Sequence, residues 1–522
     1  MEWLTDYPTY LQWIIVILTA CVYGGVIGLI PSAGPSKAVI LLFAIVSLFD
    51  FPGGNYLFVL FSITTVVACS IGDSFSGVLL GIPGANSSAA TMVDGYPLAK
   101  QGRASYALSA AITVSTVNGL LFGFAGMMII PYYSAIAGVV GVPEIFALVV
   151  LSLSMISVIT TNDTFRSLCA VVFGFFVGSI GYDMMGSSRN TFGWEYLEDG
   201  VPIVIVAAGL FAIPEIWESI TTRIAAPKTD IRLHNQQTWE GMWAVWRNRW
   251  ISLQGGVIGF VIGLLPGIGG GVSDWIGYSA TVATNKKETV KFGEGNIKGL
   301  IGCEGTNNSG QMGALLPTIM FGIPGGKTFA ILMALWLYVG FEVGNSFVMN
   351  DKQFIDHLIG GYMIGTAFAG VVMLLFARQF TKIVYINPRY YMPVMLALTV
   401  WAVLASRYYA TVWEDLLLLA VFGVIGFTCK KYKFSRPAML MAFILWDRVE
   451  TSLNQMAYIF FWDDLKAVDN LLDTGSFDLL LTDYFINNSI WSEHPFMTAC
   501  LVLAVCIVIY GIRNKNRNMS YV

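Results

Sequence analysis

Gly81-Ile82-Pro83-Gly84-Ala85-Asn86-Ser87-Ser88 and Gly322-Ile323-Pro324-Gly325-Gly326-Lys327 begin with the same tetrapeptide, and each is set in a strongly apolar stretch. Upstream of each lies a second glycine and proline break in matching context. Gly25, Gly28, Pro31 and Gly34 precede the first copy, and Gly259, Gly263, Pro266 and Gly269 precede the second. The repeat therefore preserves a layout as well as a motif. Paired interruptions in corresponding hydrophobic segments are the sequence sign of a secondary transporter with its site between two repeats.

Composition agrees. Of 522 residues, 56% are hydrophobic and 12% charged, whereas roughly a quarter are charged in a soluble domain. The chain is expected to be an all-α polytopic membrane protein. Apolar runs at 11–30, 105–131, 143–161, 201–213, 358–377 and 495–512 approach the ~20 residues that cross a bilayer as helix. With a net charge of −4 and no separate basic domain, no nucleic-acid partner is expected. The 7 cysteines are scattered and read as small core residues, with no disulfide framework or metal cluster. Met1 to Tyr10 carries Glu2 and Asp6 but no Lys or Arg, so it lacks the basic region of a cleavable signal, and the first helix is expected to stay in the protein. Of the 3 histidines, His234 and His357 fall in loops and His494 beside the last helix. No acid, base and nucleophile gather in one cavity, so neither an enzyme nor a cofactor is expected.

Loops rich in Lys and Arg face the cytoplasm. The basic clusters are Lys100 with Arg103; Arg223, Lys228, Arg232, Arg247 and Arg249; Lys286, Lys287, Lys291 and Lys298; Arg378, Lys382 and Arg389; Lys430, Lys431, Lys433 and Arg436; and Arg513, Lys515 and Arg517. The acidic or uncharged loops between them, 1–10, 48–56, 183–200, 342–357 and 462–494, go outside. Arg407 is a stray cation in a loop assigned outside, with Glu414 and Asp415 close by. On this map the halves run in opposite directions. The expected architecture is a first inverted repeat at 11–220, a cytoplasmic linker at 221–249, a second inverted repeat at 250–461, an external loop at 462–494, and a final helix with a cytoplasmic tail at 495–522. That makes about 12 membrane segments, with broken or re-entrant helices meeting near the midplane, the N-terminus external and the C-terminus cytoplasmic.

Proline removes a backbone donor and glycine weakens a helix, so these segments should be interrupted. In hydrocarbon the freed groups persist only where protein or a wet cavity satisfies them, and the breaks should converge. Half-helix N-termini suit an anion, while freed carbonyls and hydroxyls suit a cation. The candidate substrate-binding set is Pro83, Gly84, Asn86, Ser87 and Ser88 with Pro324, Gly325, Gly326 and Lys327. The candidate cation set is Ser32, Gly34, Gly267, Gly269, Asn307, Asn308 and Ser309, for Na+, with H+ the other possible coupling ion. Ser36, Thr91, Ser273, Thr306 and Thr328 add hydroxyls beside the breaks. Ionisable residues at membrane depth are costly and need a reason. Asp73, Asp274, Glu304, Lys37 and Lys327 are the charged candidates. Lys37 and Asp274 read equally as interfacial side chains reaching water, and Lys327 as a substrate contact or as the internal partner of Asp73 or Glu304. Close helix packing is the competing explanation for the glycines.

At these residues the chain resembles the large membrane subunit of the tripartite tricarboxylate transporters. The likeness is carried by Gly81 to Gly84, Ser88 to Thr91, Asp94 to Arg103, Gly263 to Gly269, Phe292 to Gly299, Glu304 with Asn307 and Asn308, and Leu316 to Gly325. Val142 to Leu148 and Asp447 to Leu453 match more weakly, and the resemblance spans about residues 12–460. It implies an ion-driven importer of a small carboxylate in the bacterial inner membrane, working with a small membrane subunit and a periplasmic solute-binding protein; the chain itself can form a homo-oligomer in the lipid bilayer. The departures sit around the breaks. Asp73 and Lys327 replace small residues, Asp274 an apolar one, and Cys303 a proline, which points to a cargo other than a tricarboxylate. A passive anion channel, or a stand-alone permease for a non-tricarboxylate organic solute, are the alternatives.

Overall fold

The computed structural model describes residues 9–31, 34–48, 56–82, 88, 90–132, 141–159, 163–182, 187–214, 216–217, 235–265, 270–344, 351–384, 388–405, 411–462 and 494–513. These residues are overwhelmingly helical. In chain order the helices are α1 (Thr9–Leu29), α2 (Gly34–Leu48), α3 (Tyr56–Leu80), α4 (Thr91–Lys100), α5 (Ala104–Ile129), α6 (Val142–Ile159) and α7 (Thr164–Gly178). A two-stranded antiparallel ribbon, β1 (Gly181–Tyr182) with β2 (Ser188–Arg189), follows. Then come α8 (Ile203–Ala207, running into a π turn at Ala208–Ala212), α9 (Asn235–Arg247), α10 (Arg249–Leu264), α11 (Gly270–Thr284), α12 (Ile297–Glu304), α13 (Asn307–Phe321) and α14 (Lys327–Tyr338). The last are α15 (Lys352–Leu375), α16 (Ala377–Val384), α17 (Pro388–Ala405), α18 (Val412–Tyr432), α19 (Arg436–Trp462) and α20 (Pro495–Arg513).

Six of these, α1, α3, α5 with the turn after it, α15, α18 and α20, are long and apolar enough to cross a bilayer. The helices beside the sequence breaks are shorter, such as the 16 residues of α10 and the 12 of α14. An all-α multi-pass membrane protein is what these helices make. Of the expected external loop at 462–494, residues 463–493 fall outside the described residues, as do residues 221–234 of the expected linker at 221–249, whose remainder is helical in α9 and the start of α10.

The chain forms two compact units. One comprises residues 132–201 and 432–522 and contains α6, α7, the ribbon, α19 and α20. Within it the Arg189 guanidinium meets Glu450 at 2.5 Å and His494 Nδ1 meets Glu144 Oε1 at 2.6 Å. The other comprises residues 1–131 and 202–431 and carries all the described candidate site residues.

In that larger unit α3 is its central element. Every residue from Leu57 to Leu80 is buried, although Ser62, Thr64, Thr65, Ser70, Asp73, Ser74 and Ser76 are polar. A helix apolar on one stripe would leave its other face to lipid, whereas α3 is enclosed on all sides; Ser62, Thr64, Ser70 and Ser74 hydrogen-bond to neighbouring helices, while Thr65 Oγ1 is buried without a hydrogen-bond partner. Packing of α1 on α3 depends on glycines one turn apart. A Cβ at Gly24 would lie 2.5 Å from the Thr65 carbonyl oxygen, and one at Gly28 would lie 2.4 Å from that of Cys69. The second half packs α10 on α12 and α13 by the same device. A Cβ at Gly255 would meet the Gly302 carbonyl oxygen at 2.7 Å, one at Gly259 the Thr306 oxygen at 2.4 Å, and one at Gly263 the Gly310 oxygen at 2.4 Å. Small residues let membrane helices approach backbone to backbone. The glycines upstream of each break are thus packing residues, and the interruptions themselves lie further on.

Candidate functional site

Both Gly-Ile-Pro-Gly copies end a helix by the same geometry. Gly81 closes α3 at φ +66, and the Ile82 N–H reaches back to the Ser76 carbonyl at 3.4 Å. Gly322 closes α13 at φ +64, and the Ile323 N–H reaches back to the Pro317 carbonyl at 3.3 Å. A left-handed residue at a helix C-terminus selects glycine, because a Cβ there crowds the following carbonyl. The second tip then folds tightly onto its own helix. The Gly325 N–H donates to Thr318 Oγ1 at 3.2 Å, and a Cβ at Gly325 would lie 2.5 Å from the Ala314 Cα. Pro324, Gly325 and Gly326 are buried in the turn, and α14 starts directly after it at Lys327.

The N-terminal turns of α2 and α14 meet. Ser36 Oγ and Thr328 Oγ1 are 2.9 Å apart and join the third residue of α2 to the second of α14. Pro35 stands in the first turn of α2, where the absent N–H costs nothing. Each N-terminus carries a lysine: Lys37, 3% exposed, and Lys327, whose ammonium lies 5.6 Å from the centre of the Phe211 ring. Two helix N-termini with their partial positive charge meet at two hydroxyls, each with a lysine in its first turn, and form an electropositive part of the larger unit.

The electronegative part is a buried carboxylate network. Glu304, the last residue of α12, accepts from Thr91 Oγ1 at 2.5 Å, from Ser74 Oγ at 2.9 Å and from Asn307 Nδ2 at 3.5 Å. It therefore ties the start of α4 and the middle of α3 to the break between α12 and α13. Asn307 Nδ2 also donates to the Ser70 carbonyl at 2.8 Å, and Gln311 Nε2 donates to Ser70 Oγ at 3.0 Å. Asp274 of α11 is bonded to Thr306 Oγ1 and to the Ser273 hydroxyl, and lies within electrostatic reach of Glu304 and Asp73. Asp73 is fully buried on α3. Three acidic residues from three helices converge, yet among the described residues no three His, Cys, Asp or Glu side chains are arranged to hold a metal ion.

The candidate cation residues diverge. Successive residues of a helix point about 100° apart, and Asn307, Asn308 and Ser309 face three different neighbours. Asn307 faces α3. Asn308 lies against Gly119 of α5 and Thr366 of α15. Ser309 Oγ bonds the Gly305 carbonyl at 3.0 Å, on the side where α10 brings Gly259 against it. Asn308 keeps both its side-chain oxygen and nitrogen buried without a hydrogen-bond partner, and Asn307 its oxygen. Such atoms suit a water or an ion. Gly34 opens α2 at φ +60, and Ser88 is fully buried at the entry to α4. Ser32, Pro83, Gly84, Asn86, Ser87, Gly267 and Gly269 lie outside the described residues.

Two polar residues that sequence motifs did not single out by role organise the surroundings. Asp94 Oδ1 accepts the backbone N–H groups of Gly293, Gly295 and Asn296 at 2.8, 3.0 and 2.8 Å, and its Oδ2 accepts the Tyr278 hydroxyl at 3.0 Å. It latches α4 of the first half to the loop before α12 of the second. Burial holds its carboxyl above the ordinary carboxylate range, and these four donors offset that rise only in part. Asn118 of α5 donates to the carbonyls of Ser252 and Gly305 at 2.7 and 2.9 Å and accepts from Ser252 Oγ at 3.2 Å. It thereby satisfies backbone freed at the α12–α13 break. An amide in the middle of the apolar run 105–131 was the signal for it.

Among known proteins, the chain matches the Tripartite tricarboxylate transporter TctA family over residues 14–441. It is 26% identical over 464 residues to an uncharacterized 52.8 kDa protein in the TAR-I ttuC' 3'region of Agrobacterium vitis, covering 89% of this chain and 90% of that one. It is 23% identical over 212 residues to an uncharacterized protein in the TAR-II ttuC' 3'region of the same organism, covering 41% of this chain and 86% of that one. No solved structure matches it.

Proposed function

Because the chain belongs to the tripartite tricarboxylate transporter TctA family, we propose that it is the membrane permease of a binding-protein-dependent system and imports a small carboxylate by ion-coupled alternating access. The observation that carries this reading is the meeting of the α2 and α14 N-termini at Ser36 and Thr328, with Lys37 and Lys327 alongside. The partial positive charge of two helix N-termini that meet favours a carboxylate, and a lysine stands in the first turn of each. Ser88, Gly325, Gly326 and Lys327, with the neighbouring Pro83 to Ser87 and Pro324, form the substrate side. For the cation, Asn307 and Asn308 are the foremost candidates, because each keeps a buried side-chain oxygen without a hydrogen-bond partner; Ser32, Gly34, Gly267, Gly269 and Ser309 complete the proposed set.

The matching closures at Gly81 and Gly322 support two gates of common design, one in each of two inverted repeats that together supply about 12 membrane segments. A small membrane subunit and a solute-binding protein on the outer side of a bacterial inner membrane complete the system. The departures at Asp73, Asp274, Cys303 and Lys327 favour a carboxylate other than a tricarboxylate. Proteoliposomes test the reading with citrate, succinate and lactate as probes. Accumulation above the outside concentration under an imposed Na+ or H+ gradient is expected. Simple equilibration, indifferent to both gradients, would mark a passive channel and refute coupled transport.

A further inference from the structure

Resting on that transport reading, we propose that Asp274 is a proton-binding site and that the proton it holds is the one carried with the substrate. The argument is one of hydrogen counting. Asp274 is 1% exposed on α11, and its Oδ1 is bonded to Thr306 Oγ1. The same Thr306 oxygen lies 2.7 Å from the Cys303 carbonyl oxygen. A hydroxyl has one hydrogen and two lone pairs. With Asp274 ionised, Thr306 can donate to only one of these two oxygens, and the other contact is left as two facing lone pairs. With Asp274 protonated, its O–H donates to Thr306, and Thr306 donates in turn to the Cys303 carbonyl. The Ser273 hydroxyl, also bonded to the carboxyl, supplies one further hydrogen to it. Every donor then has an acceptor, as a buried polar chain requires.

The surroundings agree. The titratable groups near Asp274 are Glu304 and Cys303 from α12 and Asp73 from α3. Two of these are carboxyls, and Glu304 already holds three donors suited to an anion. The remaining helices packed on α11 bring little more: α13 contains no titratable residue, and α10 only Arg249 at its first position. Carboxyls sharing one low-dielectric interior do not all ionise together, and a proton on one relieves the others. The chemistry balances as the reversible addition of one proton to one carboxylate, taken from water on one side of the membrane and returned to water on the other.

Infrared spectroscopy of the purified protein tests the site apart from any transport. At neutral pH the wild type is expected to show the C=O stretch of a protonated carboxyl. Asp274→Asn, which keeps the shape and an N–H donor toward Thr306, should abolish that band. Thr306→Val should shift it toward the frequency of an acid without a hydrogen-bond acceptor, and this second variant decides the matter if the first fails to fold. Wild-type and Asp274→Asn spectra with the same carboxyl bands, or a band that Thr306→Val leaves unmoved, would overturn the site. In proteoliposomes, citrate or succinate uptake should alkalinise the outside medium for the wild type, whereas Asp274→Asn should only equilibrate the probe with no proton movement. Accumulation by the wild type without alkalinisation would overturn the coupling role. Absence of any uptake would count against the transport reading, while the infrared result still judges the proton site.

Discussion

Removing the Asp94 carboxylate should cost the larger unit much of its stability, because one side chain holds two distant parts of the chain together. Asp94 accepts three backbone N–H groups from the loop at 293–296 and the Tyr278 hydroxyl. Hydrogen bonds to a charged group are worth about 1.5–3 kcal/mol each, but four on one carboxylate do not add, and truncation leaves buried donors unpaired. About 3–5 kcal/mol is expected for Asp94→Ala. Gly299 supplies an independent check. A Cβ there would lie 2.2 Å from Asp94 Oδ2 and 2.8 Å from Tyr278 Cε2. Gly299→Ala alone should therefore cost about 1–3 kcal/mol as overpacking. In the Asp94→Ala background the closer of those two contacts no longer exists, so the double variant should lose less than the two single losses combined. Thermal unfolding in detergent, followed by intrinsic fluorescence, reads all three, with Asp94→Asn as a milder control that keeps the acceptor oxygen but gives up the charge. An Asp94→Ala melting temperature equal to wild type, or strictly additive losses, would refute the latch.

Two other perturbations address the site and its frame. Lys327→Gln should raise the probe concentration needed for half-maximal uptake while leaving the melting temperature close to wild type; a large loss of stability with unchanged uptake would make Lys327 an internal ion partner instead. Gly259→Val places branched carbon where a Cβ already lies 2.4 Å from the Thr306 carbonyl oxygen, so it should cost about 3 kcal/mol or more through displaced backbone. Wild-type stability of that variant in the same unfolding assay would show that α10 and α13 do not need their close approach.

The helices were largely readable from hydropathy. Runs at 105–131 and 495–512 became Ala104–Ile129 and Pro495–Arg513, since a continuous apolar stretch of helical length has few other structures open to it. The closures at Gly81 and Gly322 were readable too, because only glycine adopts that backbone without strain. What the sequence hid was direction. Gly28 and Gly259 look like part of a break, but what they meet is backbone on α3 and at the α12–α13 break, a fact set by three-dimensional approach and not by neighbours in the chain. Asn307, Asn308 and Ser309 look like a cluster because they are adjacent, and the helical turn sends them to three different helices. The Asp94 latch joins residues about two hundred positions apart, beyond any local pattern.

Anion and proton sites in one unit have a further consequence for coupling. Helix α2, which brings Ser36 and Lys37 to the electropositive part, packs on α14 and also on α3, which carries Ser74 and Asp73 into the carboxylate network. An arriving substrate carboxylate adds negative charge to an interior that already holds Asp73, Asp274 and Glu304. Charges are weakly screened where water is excluded, so each proton bound at the acidic end lowers the electrostatic cost of an anion at the basic end. Binding free energies are reciprocal: if the proton favours the carboxylate, the carboxylate favours the proton by the same factor. A carrier loaded with one ligand alone would then be disfavoured relative to the empty or the doubly loaded form, and that asymmetry is the physical requirement for symport. The acidic departures from the family pattern at Asp73 and Asp274 would thus act in the coupling of transport, while Lys327, at the opposite pole, would act on which carboxylate is chosen.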